Sequence, residues 1–225
     1  MEGHGAAVFY LGNFGVNSAM ITMVAITCFL TLISWLGTRN MQVRPKGLQN
    51  VLEKCVEMLD NFLSESMDKK LERKCFPFLA TLFLFILFSN YSGLLPLAGK
   101  LPGLAAPTAS LSVTAALAIC TFFYTHYIGV HSHGVGGYCK HFISPYVFLL
   151  PLMLIDEFVR PLSLSLRLFG NIYGEEEVTA QLFNMVPLLI PLAMNALSLL
   201  MGFVQAMVFV MLSSVYIGGA AGEGH

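Results

Sequence analysis

Residues 17–36, NSAMITMVAITCFLTLISWL, contain no charged side chain. At about 1.5 Å of rise per residue, such a run crosses a hydrocarbon core roughly 30 Å thick. A stretch like this has one stable setting: a helix that satisfies its own backbone and turns apolar side chains to lipid. With 56% apolar and 11% charged residues and a mean hydropathy of +0.72, the whole chain argues against a water-soluble domain.

The run is too long for a signal-peptide core, and Glu2 and His4 stand where a basic leader would be, so it is read as a retained first span. Trp35 suits the interface, and Arg39, Arg44 and Lys46 follow at once. Eight of the twelve Lys and Arg residues fall between Arg39 and Lys74. By the positive-inside rule this end is expected in the cytoplasm and the N-terminus outside.

Across residues 47–74 the pattern changes. Leu48, Val51, Leu52, Cys55, Val56, Leu59, Phe62 and Leu63 recur at helical spacing, with Glu53, Lys54, Glu57, Asp60 and Glu65 on other faces. This predicts an amphipathic helix on or near the cytoplasmic surface, or else a soluble hairpin packed on a partner subunit. Residues 76–130 then read as a transmembrane hairpin, two apolar runs turned at Lys100, Pro102 and Gly103. His131 and His133 open a glycine-rich loop; with His126 and His141 they make four histidines that invite a metal site, but such a loop lacks the i, i+4 geometry that would fix the ligands. The five cysteines show no C-x-x-C spacing, so they are read as apolar fillers instead of zinc ligands or a disulfide frame. Residues 145–217 form the last block, whose final apolar run from Pro187 is longer than an upright span needs, so steep tilt is expected. A glycine-rich tail from Gly218 is expected to fray. The sum is an all-α integral membrane protein in a single domain, residues 1–225.

Between the apolar runs lies RPLSLSLRLFGNIYGEEE, residues 160–177. An arginine at mid-membrane costs on the order of 3 kcal/mol by insertion scales, so Arg167 needs a partner or water. On a helix its face also carries Arg160, Ser163, Leu164, Gly170, Asn171 and Gly174, a small and polar stripe that another helix can approach closely. Glu176 lies roughly 180° around from Arg167, with Glu175 and Glu177 roughly 80° to either side. The counter-charge is therefore expected from another helix or chain. Three adjacent carboxylates repel one another, which suits groups that take up and release protons or cations. Gln205 shares a small, polar face with Ser198 and Gly202 on the final run, and in lipid it needs a hydrogen bond.

PLSLSLRLFGNIYGEE, followed by FVQAMVFVMLSSVYI, with FSNYSGLLP and APTASLSVT upstream, resembles subunit a of the F-type ATP synthase from about Phe76 to the last helix. The resemblance implies two long, steeply tilted helices wrapped on a rotating c-ring, with Arg167 facing the ring's ion-carrying carboxylate. It implies that Asn171, Glu176 and Gln205 line an ion path made of two aqueous half-channels, and that H⁺ or Na⁺ crosses without any cofactor. The implied partners are the c-ring, peripheral-stalk b subunits and the lipid bilayer, in a bacterial plasma membrane. Ser198 and Ser110 depart from the family, whose members often carry ionisable groups there. Glu175 and Glu177 are candidates to supply them, which leaves open which carboxylate relays. No G-x-x-x-x-G-K-[ST] loop occurs, so ATP chemistry is assigned to other subunits. Two rival readings are a secondary transporter, in which Arg167 binds an anionic substrate, and a membrane scaffold. The first predicts an internal repeat, and the chain has no second copy of the arginine helix.

Overall fold

The structure is a computed structural model, and it describes residues 7–11, 14–39, 47–64, 66–94, 106–143, 150–185 and 189–222. A short antiparallel hairpin, β1 (Ala7–Leu11) with β2 (Phe14–Asn17), pairs Phe9 with Val16 and Leu11 with Phe14. The sequence reading gave no strand here. Among the described residues, every regular element after the hairpin is a helix, and the all-α membrane class holds.

Helix α1 (Ser18–Thr38) is the first span. α2 (Leu48–Leu63) is separate from α3 (Lys69–Ser92), so the 47–74 segment is two pieces and Lys69–Lys74 belong to the spanning helix. Asp68, with extended backbone, starts α3 by accepting from the Leu71 and Glu72 amides at 2.9 Å. A 3-10 turn at Pro107–Ala109 leads into α4 (Leu111–Ile143). The histidine segment is helical and not a loop: the break is confined to Gly134 (φ 71°, ψ 161°), a conformation that glycine adopts without steric penalty. α5 (Leu150–Met185) and α6 (Leu189–Ala221) complete the chain, and α6 includes Gly218 and Gly219, which the sequence reading gave to the tail. The turn at Lys100, Pro102 and Gly103 and the residues at Pro145 and Pro187 lie outside the described residues.

Among the described residues, four helices are long and apolar enough to cross a membrane: Ser18–Thr38, Lys69–Ser92, Leu111–Gly134 and Ala193–Ala221. α5 is the exception, because its length is matched by a polar load. Its 36 residues extend about 54 Å, well beyond the apolar thickness of a bilayer, so an upright setting would drive its ends out of the core.

α4 packs on both α5 and α6, α3 packs on α6, and α1 lies against α3. Small polar side chains mark these seams: Thr108, Thr114, Ser89, Ser213 and Ser214 are fully buried. That is how helices approach closely in lipid, where apolar contact alone gives no preference for protein over solvent. Large apolar groups face outward instead, including Val24, Phe29 and Trp35 on α1 and Leu152, Ile155, Phe158 and Leu162 on α5. Among the described side chains of α2, only Leu59 and Leu63 are buried, while Val51, Val56 and Met58 stay exposed. Of the cysteines with described side chains, only Cys75 fills the interior; Cys28, Cys55 and Cys120 are exposed.

Candidate functional site

The helix ends gather into two sets. At one end, Ser66, just before α3, meets Ser214 near the end of α6 at 2.8 Å, and Tyr124 on α4 donates to the Lys74 carbonyl at 3.4 Å. At the other, Asn90 near the end of α3 donates to the Gly202 carbonyl of α6 at 3.0 Å and accepts from Thr108 at 2.8 Å. Thr114 and Ser165 approach to 3.5 Å and join α4 to α5. Arg167 lies on α5 between the two ends.

Arg167 is exposed. Among the described residues it has no ion-pair partner. Gly170 and Gly174, three and seven residues on, have nothing within 4 Å of where a Cβ would stand. Arg167, Gly170 and Gly174 therefore face away from the rest of the described chain, whereas Leu164, which the sequence reading put on the same face, is buried in the core with Leu168.

Asn171 connects that stripe to α6, its Nδ2 donating to Gln205 Oε1 at 2.6 Å. Gln205 is 4% exposed, and its Nε2 has no hydrogen-bond partner among the described residues. A buried unsatisfied donor costs about 1–3 kcal/mol. Gly202 explains how Gln205 comes to be covered. A Cβ there would stand 3.3 Å from Asn90 Cβ and 3.4 Å from Tyr91, so its glycine lets α3 close over this part of α6.

The three glutamates have three environments. Glu177 is exposed, and Glu175 is half-buried with its Oε1 unpartnered among the described residues. Glu176 reaches across to α3: its Oε1 lies 3.2 Å from where a Cβ on Gly93 would stand, and that position is only 2.9 Å from Ala106 Cβ. The segments FSNYSGLLP and APTASLSVT thus meet the glutamates in space. Buried Ser89, its hydroxyl also unpartnered among the described residues, belongs to the same end of α3. Ser198 is half-buried on α6, and no hydrogen bond joins it to the glutamates among the described residues.

A second polar cluster occupies the other side of Arg167, ten residues earlier on α5, or roughly 15 Å along the helix. Glu157 Oε1 is 3.6 Å from His126 Nδ1 on α4, and its Oε2 is 3.6 Å from Arg160 Nη1. Arg160 also bonds Asp156 at 3.1 Å and lies over the Tyr216 ring of α6 at 5.4 Å. A cavity lined by Thr121, Thr125, Glu157, Arg160, Leu164 and Tyr216 adjoins them. The sequence reading placed Arg160 on the Arg167 stripe, took His126 only as one of four histidines weighed for a metal, and gave Glu157 no role. The i, i+3 and i, i+4 spacing of Asp156, Glu157 and Arg160 was the available signal; the α4 partner had none.

A family model described as ATP synthase A chain matches residues 19–218. Among similar curated proteins, ATP synthase subunit a 1 of Syntrophotalea carbinolica is 45% identical over 225 residues, covering 98% of this chain and 93% of that protein. ATP synthase subunit a of Moorella thermoacetica is 41% identical, covering 93% of each chain. ATP synthase subunit a of Geobacter sulfurreducens is 39% identical, covering 96% of this chain and 92% of that one.

Proposed function

Because this chain belongs to the ATP synthase A chain family, we propose that it is the ion-translocating stator subunit of an F-type ATP synthase, facing the c-ring across the Arg167 stripe. The observation that carries the reading is Arg167 itself: a permanent cation on an outward face, flanked by Gly170 and Gly174 with open space above them, and without an acidic partner among the described residues. Such a charge needs a counter-ion from another chain. A carboxylate carried by a rotating ring meets that need transiently.

Two half-channels follow from the polar clusters on either side. The Glu175–Glu177 end, with Asn90, Thr108 and Gln205, loads a ring carboxylate with its ion, and the neutral group then turns through lipid. On reaching Arg167 it is held as the carboxylate by the fixed positive charge, and its ion leaves toward the Glu157 end. Arginine is suited to this because it stays charged at every physiological pH, which bars direct leakage between the two halves. One ion moving down 100 mV releases about 2.3 kcal/mol, so rotation must sum several crossings for each ATP. This chain moves ions and catalyses no bond change; the reaction belongs to the other subunits.

By the positive-inside rule the Lys69–Lys74 end is cytoplasmic, the N-terminus lies outside, and the membrane is a bacterial plasma membrane. Ring selectivity between H⁺ and Na⁺ resides mainly in the c-subunit. The transporter reading, with an anionic substrate on Arg167, is disfavoured because Arg167 does not line the described cavity.

The test is reconstitution of the complete synthase with Arg167→Gln, measuring gradient-driven ATP synthesis and ATP-driven ion pumping. Both are expected to fall below about 1% of wild type, as when a transition-critical electrostatic group is removed. Retained coupled activity would sink the reading.

A further inference from the structure

We infer that His126 is a positioning residue for ion transfer: from α4 it holds the Glu157 carboxylate of α5 at the rim of the cavity lined by Thr121, Thr125 and Tyr216. This rests on the half-channel reading above and adds to it a residue on a helix to which no ion-path role has so far been given.

Glu157 has two nitrogen-bearing neighbours of different kinds. Arg160 lies on the same helix and is shared, bonding Asp156 at 3.1 Å and covering Tyr216 as well as approaching Glu157. His126 comes from α4, and its Nδ1 is 3.6 Å from the other Glu157 oxygen. The imidazole is itself braced, with its ring centroid 4.1 Å from Phe122, which stacks on Phe158 of α5 at 6.2 Å. Only 15% of the Glu157 side chain and 28% of the His126 side chain is exposed, so the contact is shielded from the screening that makes surface ion pairs weak.

The local backbone makes such a brace useful. Pro161 lies inside α5 four residues after Glu157, and proline has no N–H, so the Glu157 carbonyl lacks its usual helical donor. This turn of α5 is therefore less tightly fixed by its backbone, and a side-chain contact to α4 supplies the missing constraint. His126 also sets the charge of the cluster. Glu157 contacts His126 directly, Arg160 and through it Asp156 adjoin Glu157 on α5, and Tyr216 of α6 lies under Arg160. Two carboxylates and one guanidinium leave one negative charge with neutral imidazole and none with imidazolium. A net negative cluster attracts a departing cation, and a neutral one does so less.

The experiment uses the complete synthase in sealed vesicles, with rates normalised to assembled complex, for His126→Ala, His126→Gln, Glu157→Gln and the double variant His126→Ala with Glu157→Gln. ATP-driven ion pumping is measured across the pH range on the His126 side. His126→Ala is expected to lower the rate roughly tenfold, the scale of coupling between contacting groups, and to flatten its pH dependence. His126→Gln, which keeps a hydrogen-bond donor, is expected to recover most of the rate but not the pH dependence. The double variant should be no slower than Glu157→Gln alone. A wild-type pH profile in His126→Gln, or additive losses in the double variant, overturns the proposal, and the glutamine variant decides alone if alanine prevents assembly. Arg167→Gln in the same preparation separates the two levels: if it pumps normally the half-channel reading fails, whereas its loss of pumping beside unchanged His126 variants rejects only the present proposal.

Discussion

Glu176 differs from its two neighbours in where its carboxylate ends. It reaches Gly93 on α3, while Glu177 is exposed and Glu175 keeps a buried oxygen unpartnered among the described residues. Single replacements by Gln should therefore be graded. Pumping is expected to fall at least tenfold in Glu176→Gln, less in Glu175→Gln and about twofold or less in Glu177→Gln, read as initial rates at equal complex content. Equal losses at all three positions would mean that the cluster acts by its summed charge. Gly93 is the complementary residue. A Cβ there meets Ala106 at 2.9 Å as well as Glu176, so Gly93→Ala is expected to destabilise this end of the bundle by about 1–3 kcal/mol, as overpacking does. Adding Ala106→Gly should restore the thermal stability of the complex while leaving the Glu176 carboxylate displaced and pumping reduced.

At the scale of elements, the spans were legible because uncharged runs of membrane length admit few alternatives. The residues 17–36 and the FVQAMVFVMLSSVYI run needed no tertiary information. The open positions at Gly170 and Gly174 beside Arg167 were legible from 3.6-residue geometry, but Leu164, assigned to the same face, is buried and Arg160 belongs to the Glu157 cluster. What periodicity could not supply was contact between elements: that Asn90 reaches the Gly202 carbonyl, that Asn171 reaches Gln205, or that His126 approaches Glu157. Local rules also misled. Glycines beside His131 and His133 suggested a loop, yet the helix is interrupted at Gly134 alone. Residues 47–74 kept one amphipathic rhythm across the break before Asp68, because both flanking pieces are helices and only the cap marks the join.

The whole molecule presents a bundle with polar clusters at opposite ends and apolar groups around its waist. Its orientation is testable through Lys70 and Ser112, both exposed and near opposite ends of the α3–α4 pair. In a background with the native cysteines replaced, Lys70→Cys is expected to react with a membrane-impermeant maleimide only from the cytoplasmic side, and Ser112→Cys only from outside. Labelling of both from one side would break the alternation on which the two half-channels depend.

The bare stretch beside Arg167 has a mechanical meaning as well as an electrostatic one. Gly170 and Gly174 put no side chain on the outward face of α5, and nothing in the described chain occupies that space. Helices usually lock by setting knobs into holes, and this strip offers no knob. If the proposed c-ring contact is made here, a neighbour could slide past in either direction without falling into a preferred register, and the surface would work as a plain bearing with a single electrostatic detent at Arg167.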